Sequence, residues 1–264
     1  MRKLLILLIA VAILTLYISS IAFAVDGNAK IIYLKGQVKL QRSGGIRWIT
    51  AKEGMAVEEG DRIKTFKFST AEVALDKDAK NIIGIEQESE FLLEEIAANR
   101  HKLFKGKIFA LLESLEPGSD FEVRTPTAVC GVAGSGISVD TDGNKTTAGC
   151  HEDQAYAKGI KEDGSLTPGR IIKEGYKCII KKFEVPGRLI ALTKREQREW
   201  SGFREGLREH RQWRKGKQRR DSRKIIDRIE KLQDRTDKRT EMQREDRLEK
   251  MKTEKQTPSA SHYY

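Results

Sequence analysis

Three cysteines and a histidine are the residues of this chain best suited to hold a metal ion. Cys130, Cys150 and Cys178 are the cysteines, and His151 follows directly on Cys150. Thiolate sulfur and imidazole nitrogen are common zinc ligands. No two of the cysteines form a C-x-x-C pair, and neighbouring residues of a strand point to opposite faces. The sequence therefore predicts no metal site.

The same cysteines have a second chemistry if the chain is exported. Extracytoplasmic compartments allow thiols to oxidise in pairs, and three cysteines leave one unpaired. We predict a disulfide between Cys130 and Cys150. Cys178 is predicted to be a buried apolar residue beside Tyr176 and Ile180.

Two glycine-containing segments have the appearance of ligand loops. Residues 131–136 read GVAGSG, and closely spaced glycines let backbone N–H groups approach an anion. This run lacks the Lys-Ser/Thr ending and leads into an alternating segment, so it predicts a tight turn. Asp140, Asp142 and Asn144 are spaced like the first calcium ligands, but Gly143 comes too early and no glutamate closes the loop. That segment predicts a hairpin.

Catalytic chemistry has little support in the sequence. A nucleophilic triad requires a Ser, Thr or Cys beside a histidine and an orienting carboxylate. The part of the chain before residue 194 contains His101 and His151, and neither belongs to a recognisable nucleophile motif. We therefore predict a protein that is not an enzyme, with no catalytic residues, no cofactor and no small-molecule substrate.

A basic cluster near the C-terminus is the strongest binding signal. Eight cations occur within fourteen positions, interrupted by the carboxylate of Asp221: Arg211, Arg214, Lys215, Lys217, Arg219, Arg220, Arg223 and Lys224. With Trp200, Phe203 and Trp213 nearby, the cluster could bind an anionic membrane surface or an acidic polymer. The alternative is a solvated helix that carries surplus charge. Nucleic acid would use the same charges, but export argues against that partner.

The elements that must position these residues are predicted to be mainly strands. Apolar residues alternate along short segments, as in Val73 with Leu75 and Ile83 with Ile85. A period of two is typical of strands with one buried face. Asp-Gly and Gly-Gly pairs between the segments favour hairpins. The pattern predicts an antiparallel β-sandwich or a β-solenoid, with 94–101 as a turn or short helix between two strands.

The composition changes abruptly after Leu192. Residues 193–255 contain no proline, and apolar residues recur there at helical spacing among many charges. From Lys194 onward there are 23 Lys and Arg against 14 Asp and Glu, which accounts for most of the net charge of +11. We predict a long charged helix, or a pair of helices, over 194–255 and disorder over 256–264.

Two segments of the predicted β body resemble the FecR domain. The first half of the resemblance is carried by Trp48, Gly54, Gly60, Asp61, Thr65, Ser69, Ala71, Val73, Leu75 and Asp76. The second half is carried by Phe121, Val123, Thr125, Pro126, Thr127, Ala128, Gly131, Val132, Gly134, Ser135, Ile137 and Val139. The two halves occur in the family's order, and with Gly169 and Gly175 they cover residues 31 to 181.

The resemblance implies an exported, non-catalytic all-β module with a twisted, solenoid-like body, and it places Trp48 in the core. Four residues depart from the family pattern, and two of them are the intruding Cys130 and Cys150. Ala133 stands where the family usually has Arg, and Ser135 stands where it usually has Thr. A contact that the family makes through that Arg is therefore not implied for this chain.

The N-terminus has the three parts of a secretory signal. Arg2 and Lys3 precede an uncharged stretch over 4–24 that closes on an A-x-A cleavage site, so the mature chain is predicted to begin at Val25. The alternative is an uncleaved anchor, since roughly 20 apolar residues span a bilayer. With two charged residues ahead of this stretch, we expect no cytoplasmic anti-sigma domain of the kind that FecR regulators carry.

These observations predict four segments: a signal peptide or anchor over 1–24, a FecR-like β domain over 25–193, a basic helical tail over 194–255 and a disordered end over 256–264.

We expect an exported, periplasmic or extracellular binding or scaffold module. Its partner would be a protein, an anionic envelope polymer or a membrane surface. The alternative is a component of a FecR-like signalling system, tethered to the inner membrane by residues 4–24. The sequence does not predict the oligomeric state.

Overall fold

The computed structural model describes residues 29–115, 120–132, 134–216, 223–224, 227–228 and 231. The predicted signal or anchor and the end of the tail lie outside the described residues. The described part is mainly β, as predicted, and none of its helices is both long enough and apolar enough to cross a membrane. The chain divides into two compact units, Met1–Arg204 and Glu205–Tyr264.

The described strands all precede the single described helix. They are β1 (Lys30–Lys35), β2 (Val38–Gln41), β3 (Trp48–Thr50), β4 (Arg62–Thr65), β5 (Thr70–Ala74), β6 (Asn81–Ile85), β7 (Glu90–Glu95), β8 (Arg100–Leu112), β9 (Phe121–Arg124), β10 (Ala128–Val132), β11 (Ser135–Thr141), β12 (Lys145–Cys150), β13 (Gln154–Gly159), β14 (Arg170–Lys173), β15 (Tyr176–Lys181) and β16 (Ile190–Ala191). The helix, α1, spans 194–216.

The strands form two sheets that share β8. Sheet A has the order β1-β5-β6-β8-β11-β12-β15-β16, and sheet B has the order β3-β2-β4-β7-β8-β9-β10-β13-β14. The strand pairs are antiparallel except for β8 with β9, which is parallel. The two sheets bury their apolar faces against each other. The alternating pattern predicted either a sandwich or a β-solenoid, and the mainly β architecture is what the structure confirms.

A glycine lets β8 pass from one sheet to the other. Leu103 on the first half of β8 pairs with Phe91 in sheet B, and Ile108 on the second half pairs with Ile85 in sheet A. Between them Gly106 has φ +92°, a conformation that side chains with a Cβ rarely adopt. A Cβ at Gly106 would also lie 2.2 Å from the hydroxyl oxygen of Ser89. The crossing therefore requires glycine.

The core confirms the alternation seen in the sequence. Phe91 and Phe121 are completely buried between the sheets with Ile83, Ile137 and Ile180. Full burial of each such side chain contributes about 1.5–3 kcal/mol. The segment 94–101 closes the β7–β8 hairpin through a turn over 96–99, which confirms the turn rather than the short helix.

The prediction that Trp48 belongs to the core is wrong. Leu40 of β2 is buried and pairs with Ile49 of β3. Directly paired residues share a face, so the neighbouring Trp48 and its partner Gln41 lie on the outer face. Trp48 is half-buried there, on an edge strand of sheet B.

The helix α1 begins with a capping box. The backbone N–H of Thr193 donates to Oε2 of Glu196 at 2.8 Å, and the N–H of Glu196 donates to Oγ1 of Thr193 at 3.2 Å. This reciprocal pair satisfies backbone donors that the first helical turn leaves free. The helix thus begins directly after Thr193, three residues beyond the start of the last strand, β16.

Candidate interaction surfaces

The outer face of sheet A carries glycines where α1 lies against it. A Cβ on Gly84 of β6 would be 2.4 Å from Cε2 of Phe203, and a Cβ on Gly136 of β11 would be 2.4 Å from Cζ2 of Trp200. Both distances are far below van der Waals contact. The two aromatic rings therefore rest directly on the sheet backbone. Within the run 131–136, for which a turn was predicted, Gly131 belongs to β10 and Gly136 belongs to β11.

Four rings stack where α1 meets the sheet. Trp200 stacks on His151 with 4.7 Å between ring centroids, and Phe203 stacks on Phe109 at 5.2 Å. Phe109 and Trp200 are 5.9 Å apart. Each aromatic pair contributes about 0.5–1.5 kcal/mol beyond its buried area. The cluster fixes the first three turns of α1, up to Arg204, onto the β body.

Ion pairs surround this aromatic cluster. Lys107 Nζ lies 2.5 Å from Glu199 Oε2, and Lys177 Nζ lies 2.6 Å from Glu196 Oε1. Arg204 pairs with Glu152. Burial raises the pKa of Glu196, but hydrogen bonds from Lys177 and Thr193 outweigh it and bring that pKa to about 2. These charges orient the helix on sheet A and close this face.

A serine–histidine pair lies beneath Trp200. Ser138 Oγ and His151 Nε2 are 2.9 Å apart, which is the distance expected between a nucleophile and its base. Burial lowers the pKa of His151 to about 4, so the ring is neutral near pH 7. Both residues are buried, and the Trp200 ring covers the imidazole. We interpret the pair as a satisfied buried hydrogen bond. Ser138 was missed in the sequence, which offers no signal for this contact.

The outer face of sheet B differs because cations dominate it. The register of the strands places several partly or fully exposed cations on one face. Six of them define what we call the basic face: Lys39, Arg62, Lys64, Lys102, Arg124 and Lys158. The side chains of Arg62 and Lys64 are 39% and 42% exposed. They are therefore accessible in the described structure.

Three aromatic rings lie under cations of the basic face. Arg62 lies 4.5 Å from the centroid of Phe104. Lys64 lies 5.6 Å from the centroid of Trp48, and Lys158 lies 5.5 Å from that of Tyr156. Cation–π attraction at such partly exposed sites is about 0.5–1 kcal/mol per pair. The sequence did not predict this pattern, because Trp48 was assigned to the core.

Carboxylates hold several of these cations in place. Glu90 lies between Arg62 and Lys64, at 3.4 Å and 3.3 Å, and Glu94 pairs with Lys102. Such exposed pairs contribute little stability, with a median near 0–1 kcal/mol. Their effect is to orient long side chains. The six cations outnumber the three carboxylates of Glu90, Glu94 and Glu122, so the net charge of these groups is positive.

The predicted basic cluster is partly visible. In the described unit that begins at Glu205, Arg211 and Arg214 are half-buried, while Lys215, Arg223 and Lys224 are exposed and helical. Lys217, Arg219 and Arg220 lie outside the described residues. The described residues 194–216 are helical. The helical tail as a whole and the contact of the cluster with an anionic partner stay predictions.

The three cysteines are buried free thiols. Cys130 lies on β10 of sheet B, while Cys150 and Cys178 lie on β12 and β15 of sheet A. Burial raises the pKa of each thiol, to about 11 for Cys150 and Cys178. Cys178 is the buried apolar residue that was predicted, but Tyr176 is exposed. The Cys130–Cys150 disulfide is not formed here and stays a prediction. Among the described residues, no three His, Cys, Asp or Glu side chains converge on a metal position.

Known proteins offer limited similarity. No protein-family model matches the chain, and no curated protein matches it. Two crystal structures of a candidate anti-sigma factor from Parabacteroides distasonis are similar to it, with TM-scores of 0.39 and 0.38 and 14% sequence identity. Each comparison covers 50% of this chain and 59% of the other chain. The chain thus spans little more than half of the length of that protein, and no family is assigned from this similarity.

Proposed function

We propose that this chain is an exported, non-catalytic, FecR-like protein that works as a binding or scaffold module at the cell envelope. The observation that carries this proposal is the contrast between the two sheet faces. The outer face of sheet A is occupied by Trp200 and Phe203 of the chain itself. The outer face of sheet B presents the basic face with its three cation–aromatic pairs.

Two further features support a binding role. The Ser138–His151 pair, which has the spacing of a nucleophile and its base, is buried under Trp200, where a substrate would have to displace the helix. The capping box at Thr193 starts the helix whose sequence continues into the predicted basic cluster. The partner classes remain those expected from the sequence, which are a protein, an anionic envelope polymer or a membrane surface.

Export and envelope binding are tested together in the native cell. Cells are fractionated, the N-terminus of the mature chain is determined, and washed envelope fragments are incubated with purified protein before sedimentation. We expect Val25 as the first residue and co-sedimentation that weakens as salt rises, because exposed charges are screened. Recovery in the cytosol with Met1 intact would overturn export.

Recovery of the protein in the supernatant at every salt concentration would overturn envelope binding.

A matched pair of variants controls for non-specific charge. Arg62→Ala with Lys64→Ala removes two cations of the basic face, whereas Lys35→Ala with Lys52→Ala removes two exposed cations that are not among its six. Only the first pair is expected to reduce co-sedimentation.

A further inference from the structure

We propose that the basic face binds an acidic polysaccharide, along the direction that crosses the strands of sheet B. This inference rests on the proposed function and names the partner of its open surface. Its cations lie on β2, β4, β8, β9 and β13, and its aromatic residues lie on β3, β8 and β13. Neighbouring strands are about 4.8 Å apart, so a face this wide fits a polymer rather than a small molecule.

The charge of the face requires an anionic occupant. Six cations meet three carboxylates there, and two of those carboxylates already pair with face cations. The chain's own tail carries 23 basic against 14 acidic residues, so it has the wrong sign to cover this face. A second copy of the basic face would be repelled for the same reason.

The paired rings favour a ligand that combines anionic groups with flat apolar surfaces. A uronate sugar has both, because its carboxylate can pair with Arg or Lys while the C–H groups of its ring pack on the alkyl stems of these cations and on the exposed parts of the half-buried Trp48 and Phe104. Arg62 and Phe104 form such a receptor within 4.5 Å, and Lys64 with Trp48 forms another. An acidic peptide supplies only carboxylates, and a neutral glucan supplies only rings.

Nucleic acid also combines phosphates with stacking rings, and cationic grooves with aromatic platforms bind single strands. The secretory pattern of Arg2, Lys3 and the uncharged stretch over 4–24 favours a polysaccharide, because an exported protein meets envelope glycans rather than free nucleic acid. The oligonucleotide is therefore kept as an outcome of the test.

The test is calorimetric titration of the full chain with four polymers of similar length: polygalacturonate, dextran, poly-glutamate and oligothymidylate. Four double or triple variants accompany it. Two variants alter the face: one combines Arg62→Ala with Lys64→Ala, and the other combines Trp48→Ala with Phe104→Ala. The charge control combines Lys35→Ala with Lys52→Ala. The tail variant combines Lys215→Ala, Arg223→Ala and Lys224→Ala. We expect polygalacturonate to bind most tightly, and each face variant to lose about tenfold or more in affinity. The other two variants should stay within about twofold, since their cations are not among the six of the basic face.

Four results would overturn the inference. Equal binding of poly-glutamate would assign the face to acidic peptides, and tighter binding of oligothymidylate would assign it to nucleic acid. Loss of affinity in the tail variant alone would move the site to the basic cluster. If none of the polymers binds while the protein still sediments with envelope fragments, the polysaccharide inference fails and the proposed function stands.

Discussion

Trp200 lies so close to Gly136 that the strand under it has no room for a side chain. A Cβ on Gly136 would be 2.4 Å from Cζ2 of the indole. The contact joins the β body to α1, the helix that carries the first residues of the predicted basic cluster. It also explains why one outer face of the sandwich is closed while the other is open.

Gly136→Ala is expected to destabilise the protein by about 1–3 kcal/mol, because the added methyl group must push Trp200 or the strand aside. Urea unfolding measures the free energy. Gly202→Ala is the control, since Gly202 is exposed on α1 and nothing lies within 4 Å of its added Cβ. That variant should gain up to about 1 kcal/mol from helix propensity. Equal stability of Gly136→Ala and the unmodified protein would mean that Trp200 does not pack on β11.

His101 is expected to make folding sensitive to acid. Its ring lies between Phe91 and Phe121, neither ring nitrogen has a hydrogen-bond partner, and burial lowers its pKa to about 3. The charged form is favoured only in the unfolded chain, so stability falls as the pH drops from about 6.5 toward 3. At pH 4 the loss is about 3 kcal/mol from this residue.

Replacement by an apolar residue of similar size removes this dependence. His101→Leu should raise the free energy of unfolding at pH 7, because an unpaired buried polar group costs about 1–3 kcal/mol. It should also flatten the profile between pH 6.5 and 4, apart from the contribution of His151. His210→Leu, outside the β body, serves as the control. An unchanged profile in His101→Leu would contradict the burial of a neutral imidazole.

The cysteines are expected to be slow to react in the folded state. Thiolate is the reactive form, and burial raises the pKa of all three thiols. Without reductant, a thiol reagent at pH 8 should label almost none of them until guanidinium is added. After unfolding, a count of three would correspond to the free thiols of the structure. A count of one would restore the predicted Cys130–Cys150 disulfide, which peptide mapping would locate.

Trp48 and Phe91 should differ sharply when truncated. Phe91 is completely buried, so Phe91→Ala is expected to cost about 3–5 kcal/mol. Trp48→Ala removes a half-buried ring on an edge strand and should cost about 1 kcal/mol or less. Denaturant unfolding of both variants provides the comparison. Similar losses would show that Trp48 is a core residue after all.

The strands were predictable because apolar residues at every second position mark the buried face of a strand. Ile83 and Ile85, Phe121 and Val123, and Cys178 and Ile180 follow the pattern, and each is buried between the sheets. Local turn chemistry was equally informative, since Gly143 and Gly164 have positive φ in hairpins and Gly60 has positive φ in the turn before β4. Both signals depend only on neighbours in sequence.

The contacts on the outer faces of sheets A and B were not predictable, because they join residues that are distant in sequence. Lys64 lies over Trp48 from a strand two positions away in sheet B, and Gly136 meets Trp200 from sixty-four positions earlier in the chain. Both contacts depend on which face of a strand points outward and on which strands become neighbours. Trp48 is an example. Its size predicted a core position, but the pairing of Leu40 with Ile49 places Trp48 on the outer face of sheet B.

Lysine footprinting is the most direct test of the claim that the protein binds through its basic face. The full chain is acetylated with and without washed envelope fragments, and the rate at each lysine is measured by mass spectrometry. The account predicts slower acetylation of Lys39, Lys64, Lys102 and Lys158 with fragments present, and unchanged rates at Lys35 and Lys52. Unchanged rates at the four lysines of the basic face, with slowing only at Lys215 and Lys224 of the tail, would contradict it.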